Sequence, residues 1–174
     1  EEVINKLSNI QNLEEVEKLA ERLIKGTEIQ HYDIVTAHQL AMLLDENYYD
    51  PYDKWMKVGW ALHNVSDLNI ISFILFSAKS DKFDISQVDD LLDTWDKMRN
   101  DGLTIASLRY WAKACNPTEY EQLYKTNVNM FMEEVTGSEG ADWDLAMLSY
   151  HLYGDKIKCI DPKSNTWMVF KNGM

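Results

Sequence analysis

The sequence has few cysteines and no long apolar run. Its two cysteines, Cys115 and Cys159, are too few and too isolated for a disulfide framework or a cysteine-rich zinc site, so we expect a reducing, intracellular environment. No apolar run approaches the roughly 20 residues of a membrane-spanning helix. The first residues are neither a signal peptide nor an initiator methionine. We therefore expect a segment of a longer protein with no membrane partner.

Positive charge is also scarce. Lysine and arginine total 17 against 29 aspartates and glutamates, which gives a net charge of -12. Because neutralisation of phosphates by lysine and arginine supplies most non-specific affinity for nucleic acids, the chain as a whole should repel DNA. A local basic patch is still able to contact DNA, but without help from the long-range field.

Three common catalytic motifs are missing. The sequence has no Gly-x-x-x-x-Gly-Lys-Ser/Thr phosphate loop, no Cys-x-x-Cys pair and no Gly-x-Ser-x-Gly nucleophile elbow. We therefore predict that this segment is not an enzyme, has no catalytic residue and holds no cofactor or metal.

Tryptophan is concentrated in residues 52–116, which contain four of the six tryptophans. The apolar residues around them recur every three or four positions, as a buried helix face requires. The tail differs: residues 156–160 alternate like a strand, 161–165 are turn residues and 166–170 read as a returning strand. The predicted fold is mainly α, a multi-helix orthogonal bundle with a small C-terminal β-hairpin. Its predicted core residues are Trp55, Gly59, Leu62, Phe73, Phe76, Trp95, Leu108 and Trp111.

Local signals predict several helix ends. Asn12 with Glu15, and Asp84 with Gln87, resemble capping boxes, while Thr104 is placed to cap a core helix. Asp53 is predicted to cap the helix that contains Trp55, Asp67 to cap the run of residues 70–76, and residues 47–51 to form a break. Residues 70–76 are apolar on every side, which suits a strand by propensity or a central helix.

The motifs in residues 52–116 resemble the second type of primase C-terminal domain, found in primase-helicases of large DNA viruses and some phages. The resemblance includes a Trp-x-x-x-Gly-x-Ala-Leu helix that starts at Trp55 and a Gly-Leu-Thr-Ile-x-Ser-Leu turn that starts at Gly102. It implies that residues 70–76 are helical. Its other marks are Phe73 to Ser77, Ser80, Phe83, Trp95, Trp111, Ala112 and Asn116-Pro117.

A second resemblance begins near Asp142 and reaches the end of the chain. It is similar to the start of the domain that precedes the superfamily 3 helicase in poxvirus-type primase-helicases. The matching residues are Trp143 to Ala146, Tyr150, Gly154-Asp155, Lys158-Cys159, Thr166-Trp167 and Phe170. The pair of resemblances implies a parent protein with primase and helicase parts that uses ATP and a divalent metal elsewhere, acts at a viral replication site, and forms an oligomeric ring.

These signals divide the chain into three parts. Residues 1–49 are predicted to be N-terminal helices that pack on the core, and 50–136 the primase C-terminal-type domain with a long connecting helix. Residues 141–174 are predicted to start the helicase-preceding domain as a helix plus a hairpin.

One basic cluster is a candidate for nucleic-acid binding. Arg109 and Lys113 lie one turn apart on a predicted helix, with Tyr110 available to stack on a base. Lys79 and Lys82 lie in a neighbouring segment and extend the candidate patch. Basic residues at this spacing are common on soluble helices, and a solvated helix face explains them equally well.

Metal sites are disfavoured at three places. His31 and His38 are about two turns apart, whereas helical ligand pairs normally lie one turn apart. The aspartates of 89–96 are typical of a solvated helix face, and Asp142 and Asp144 of a helix start.

Cys115 falls in an apolar stripe, which favours a core residue over a nucleophile.

We therefore expect a non-catalytic helical connector or docking module between the primase and helicase parts of one viral polypeptide. One alternative is an accessory module that binds single-stranded or forked DNA. Another is a general protein-protein interaction domain that uses the amphipathic N-terminal helix.

Overall fold

The computed structural model describes residues 7, 10–25, 32–98, 102–137, 146, 149–150, 153–154 and 157–169, with the backbone alone for 130–137. The chain divides into two compact units, Glu1–Tyr120 and Glu121–Met174, so the division falls inside a helix. The three-part division expected from the sequence stays a prediction.

The described part of the first unit is helical. Short 3-10 turns at Asp67–Asn69 and Ile85–Gln87 precede two of its helices. The helices are α1 (Leu13–Lys25), α2 (Tyr32–Met42), α3 (Glu46–Tyr49), α4 (Tyr52–His63), α5 (Ile70–Ser77), α6 (Val88–Asp96), α7 (Ile105–Cys115) and the start of α8 (Pro117–Gly137).

Helix α5 lies at the centre of this unit. It packs against α1, α2, α4 and α6, so a helix apolar on every side is buried on every side. Phe73 and Phe76 have no solvent exposure. A strand at this place would leave backbone hydrogen bonds without partners, whereas a helix satisfies them within itself. Residues 70–76 are therefore helical.

A row of aromatic rings extends from this centre towards the surface. The ring of Phe73 lies 4.9 Å from that of Trp55 and 5.6 Å from that of Trp95. Tyr52 lies 5.5 Å from Trp55 on the outer side. Of the residues predicted to form the core, Trp55 and Trp111 are half-buried and the other six are buried.

The helix starts follow local sequence signals in most places. Asp84 and Gln87 form a capping box, and Thr104 forms another with Ser107. Two predicted caps are wrong. Asp53 lies in the first turn of α4, and Ser66, not Asp67, caps the 3-10 turn before α5.

The predicted break at residues 47–51 is also wrong in part. The side chain of Asp45 accepts a hydrogen bond from the backbone N–H of Asn47 at 3.1 Å, and this cap starts the one-turn helix α3. An aspartate that satisfies a free N–H favours a helical turn even in a short segment. Pro51 then precedes α4, where its fixed backbone angle suits a helix start.

The second unit contains most of α8 and a two-stranded hairpin. Strand β1 (Ile157–Asp161) pairs antiparallel with β2 (Thr166–Val169), with Cys159 opposite Trp167 and a bulge between Cys159 and Asp161. In the turn, the side chain of Asp161 accepts hydrogen bonds from Lys163 N at 3.0 Å and from Ser164 Oγ at 2.7 Å. The predicted mainly α fold with a C-terminal hairpin is confirmed.

Candidate functional site

Three of the predicted nucleic-acid-binding residues lie together on helix α7. Leu108 and Ala112 bury one side of this helix, which packs against α2 and α4. On the other sides, Tyr110 is 74% exposed, Lys113 is exposed and Arg109 is half-buried. The helix therefore presents an aromatic ring and a cation to solvent one turn apart.

Lys79 has a structural partner that the sequence did not reveal. Its Nζ donates a hydrogen bond to the carbonyl oxygen of Met42 at 2.9 Å and another to that of Leu44. These carbonyls lie at the last residue of α2 and two residues beyond it, where a helix has unpaired acceptors and a cation is favoured. The same ammonium lies 5.4 Å from the ring centre of Tyr49.

The surroundings of Lys79 act on its charge in opposite directions. Burial lowers the pKa of the ammonium group, while Asp45, Cys115 and Glu119 raise it. Because Cys115 ends α7, this lysine lies near the C-terminal end of that helix. Its ammonium is occupied by two carbonyls, so a phosphate must compete with them.

Lys82 is partly neutralised. Its Nζ lies 3.8 Å from Asp50 Oδ2 and 3.5 Å from the carbonyl oxygen of the same residue. Exposed ion pairs of this kind contribute about 0–1 kcal/mol, so the pair is a weak contact in water. Lys79 and Lys82 thus both contact residues between the end of α2 and the start of α4.

Sequence reasoning missed two residues beside the α7 cluster. The ring of Tyr48 lies 5.7 Å from that of Trp111, and the Nζ of Lys54 lies 5.1 Å from the Tyr48 ring centre. Burial raises the pKa of Tyr48, as do Cys115, Asp45 and Tyr110. Tyr48 lies in α3, which the sequence predicts to be a break, and its contact with Trp111 joins distant parts of the chain.

A groove with a volume of about 420 Å³ lies between the α3–α4 region and the segment from Ser77 to Thr94. We call it the aromatic groove. In its floor, Trp55 Nε1 donates a hydrogen bond to Ser77 Oγ at 2.8 Å. On its rim, Ser80 Oγ donates to Asp50 Oδ1 at 2.7 Å. Its aromatic lining residues are Tyr49, Tyr52, Trp55 and Phe83, and its charged ones are Asp50, Lys82 and Asp90.

The second unit has an apolar concave surface of about 520 Å³. Its lining residues on β2, Trp167 and Val169, are 56% and 58% exposed. Met168 lies between them and therefore points to the opposite side of the strand. The other apolar lining residues are Ala146, Tyr150, Tyr153 and Ile157. We call this surface the hairpin face.

Of the candidate metal ligands, the structure describes His38 and the aspartates of α6. His38 is buried, and its Nδ1 lies 3.1 Å from Ser72 Oγ. His31, Asp142 and Asp144 lie outside the described residues. Among the residues that the structure describes, no three His, Cys, Asp or Glu side chains are grouped to hold a metal. Burial raises the pKa of the Cys115 thiol, which opposes thiolate formation.

Residues 37–112 match the family model of the primase C-terminal domain 2, PriCT-2. The predicted resemblance of this segment to the second type of primase C-terminal domain is thus confirmed. The match covers α3 to α6 in full, together with most of α2 and α7, and so includes the motif positions Trp55, Gly59 and Thr104. In the PriCT-2 segment, Gly59 faces Phe73 and Thr104 caps α7.

A curated viral protein is similar over a longer stretch. "Putative helicase L207/L206" of Acanthamoeba polyphaga mimivirus is 27% identical over 140 residues. The alignment covers 80% of this chain and 14% of that protein. The similarity therefore extends beyond the PriCT-2 segment. Within the described residues, no helix is long and apolar enough to cross a membrane.

Proposed function

We propose that this chain is a non-catalytic connector in a viral DNA-replication primase-helicase, and that it docks onto the primase and helicase parts of the same polypeptide. The PriCT-2 segment and the viral helicase relative fit a primase-associated module in replication. ATP and a divalent metal are used elsewhere in the parent protein under this proposal, and ring assembly is a property of its helicase part.

The exposed hairpin face is the observation that carries the proposal. A two-stranded hairpin is marginally stable in water without further packing. Here every residue of β2 is exposed, including Trp167 and Val169. Contiguous exposed apolar surface of this kind marks a contact with another protein surface. A domain of the same polypeptide is the partner that is always present at high effective concentration.

Helix α8 supplies the spacing. Its 21 residues correspond to about 30 Å at 1.5 Å per residue. A helix of this length sets the distance between the elements at its two ends more closely than a flexible linker does.

The hairpin face tests the docking part of this proposal. We expect the amides of β1 and β2 to exchange hydrogen faster in the isolated 174-residue chain than in the complete primase-helicase, because docking covers the hairpin. In the complete protein, Trp167→Lys should restore fast exchange, since a buried ammonium opposes docking.

Thr126→Lys is the matched control, because it adds the same charge at an exposed position of α8 in the same unit, away from the hairpin. Hydrogen-exchange mass spectrometry measures all four samples. Equal exchange of the hairpin in the isolated chain and the complete protein contradicts docking of this surface.

A DNA-binding accessory role is a second candidate, favoured by the exposed ring of Tyr110 beside Lys113. Stacking on a base and contact with a phosphate require this combination. Under this candidate, the chain binds labelled forked DNA at low salt, and Lys113→Glu weakens binding and lowers the salt slope by about one.

Fluorescence anisotropy across a salt series measures this binding. Lys97→Glu is the control, since it makes the same charge change at an exposed position after α6. Equal losses in the two variants indicate a general charge effect, and no binding at low salt removes this candidate for the isolated chain.

A further inference from the structure

Two aromatic residues that line the aromatic groove, Tyr52 and Trp55, are held by contacts with other side chains. The ring of Trp55 lies 4.9 Å from that of fully buried Phe73, and its Nε1 is bonded to Ser77. The ring centre of Tyr52 lies 5.5 Å from that of Trp55, and Tyr52 is 72% exposed. These contacts restrict the two rings before any ligand binds. A ligand that covers the exposed ring of Tyr52 therefore costs little additional conformational entropy.

Two carboxylates, Asp50 and Asp90, line the groove. Asp50 already has partners in Ser80 and Lys82, so Lys82 offsets its charge, whereas Asp90 is exposed on α6. The same helix carries Asp89, Asp93 and Asp96 on its exposed surface. The charged rim of the groove therefore has one more carboxylate than lysine, and it adjoins a strongly acidic helix.

The aromatic rings and the carboxylates of the groove both favour a positively charged ligand. A cation is attracted by the ring faces and by the carboxylates, while a phosphate is repelled by the rim and by the net charge of -12. Arginine suits both features, because its planar guanidinium stacks on a ring and pairs with a carboxylate at the same time.

We propose that the aromatic groove binds a basic, extended segment of a separate partner protein, with an arginine placed over Tyr52 and paired with Asp90. This inference is independent of the connector role. It assigns the groove to a protein partner and leaves the exposed surface of α7 as the candidate for DNA.

A labelled peptide of alternating glycine and arginine is the probe. In fluorescence anisotropy with the full 174-residue chain, we expect Asp90→Asn to weaken binding about fivefold, which is the upper end of the effect of an exposed ion pair. Tyr52→Ser should weaken it about fivefold through the lost cation–π contact. A peptide with citrulline in place of arginine should bind at least tenfold more weakly.

Asp93→Asn is the matched control. It removes the same charge from the same helix at an exposed position outside the groove lining, so we expect a change of less than about twofold. Because Tyr52, Asp90 and Asp93 are all exposed, none of these variants should unfold the chain, and circular dichroism verifies this.

Four results overturn the proposal. Equal losses in Asp90→Asn and Asp93→Asn show diffuse electrostatic attraction, and absence of peptide binding at low salt removes the site. Binding to the isolated chain but not to the complete primase-helicase means that the parent polypeptide fills its own groove. Competition by an oligothymidine, with the same dependence on Tyr52, assigns the groove to nucleic acid instead.

Discussion

Gly59 leaves the space that two neighbouring side chains occupy. A Cβ at this position lies 2.9 Å from Met98 Cε and 2.9 Å from two ring carbons of Phe73. Met98 is able to move its flexible end, but Phe73 is packed between Trp55 and Trp95 with no exposure. The glycine of the PriCT-2 motif thus has a packing reason in this chain.

Gly59→Ala should therefore destabilise the chain despite its better helix propensity. Overpacking a core costs about 1–3 kcal/mol and the propensity gain offsets about 1 kcal/mol, so we expect a net loss of up to about 2 kcal/mol. Urea unfolding measures it. Lys57→Ala, at an exposed position of the same helix, should change the free energy of unfolding by less than about 0.5 kcal/mol. A gain in stability from Gly59→Ala contradicts the packing argument.

His38 should make stability depend on pH. Burial lowers its pKa below the ordinary value of 6.5, so the folded state holds a neutral ring that the unfolded chain protonates. The stabilising contribution is fully present above pH 6.5 and is lost as the pH falls through the folded-state pKa, by at most about 1.4 kcal/mol per pH unit.

Urea unfolding between pH 7.5 and 5 tests this dependence against His38→Gln, which does not titrate. The variant is less stable throughout if the contact with Ser72 is lost, so the slope with pH is the informative quantity. We expect a flatter slope for His38→Gln. Parallel curves for the two proteins place the acid sensitivity on other groups.

At the scale of the element, the turn before α7 depends on a left-handed residue. Gly102 has φ of +59° and open space around its Cβ position, so only the backbone conformation limits substitution. We expect Gly102→Ala to cost about 1 kcal/mol and Gly102→Asn clearly less, because asparagine tolerates this region.

Thermal unfolding of the two variants measures this difference. Thr104→Ala, which removes the cap of the same helix, is expected to cost about 1 kcal/mol and calibrates the assay. Equal costs for alanine and asparagine at position 102 exclude backbone strain as the cause.

Local elements were predictable where neighbours in sequence determine them. The capping boxes at Asp84 and Thr104 and the turn chemistry of 161–165 need only residues three or four positions apart. Helix α3 was missed because its cap was outweighed by the proline that follows. The helical state of residues 70–76 followed from the family resemblance, since periodicity alone leaves such a run ambiguous.

The candidate site was less predictable, because its contacts join distant residues. Lys79 reaches carbonyls 35 and 37 residues away, and Tyr48 meets Trp111 from another helix. No spacing rule in one sequence reveals such pairs. Arg109, Tyr110 and Lys113 lie on one helix as predicted, and their role stays a prediction.

At the scale of the whole molecule, the described parts of the two units differ in the number of buried apolar side chains that they contain. The fully buried residues Leu62, Phe73, Phe76 and Leu108 all lie before residue 120. The described hairpin of the second unit exposes most of its apolar side chains. The first unit therefore holds a hydrophobic core of its own, while the hairpin depends on further packing.

Residues 1–120 alone should consequently fold. We expect this fragment to keep a single cooperative urea transition, because it contains a buried hydrophobic core of its own. Residues 121–174 alone should show no cooperative transition, since the described helix α8 and two-stranded hairpin bury too little apolar surface to offset the conformational entropy. Circular dichroism and tryptophan fluorescence, measured together, follow both fragments. A non-cooperative 1–120 fragment means that the second unit completes the core of the first, and a cooperative 121–174 fragment means that the hairpin face needs no partner for stability.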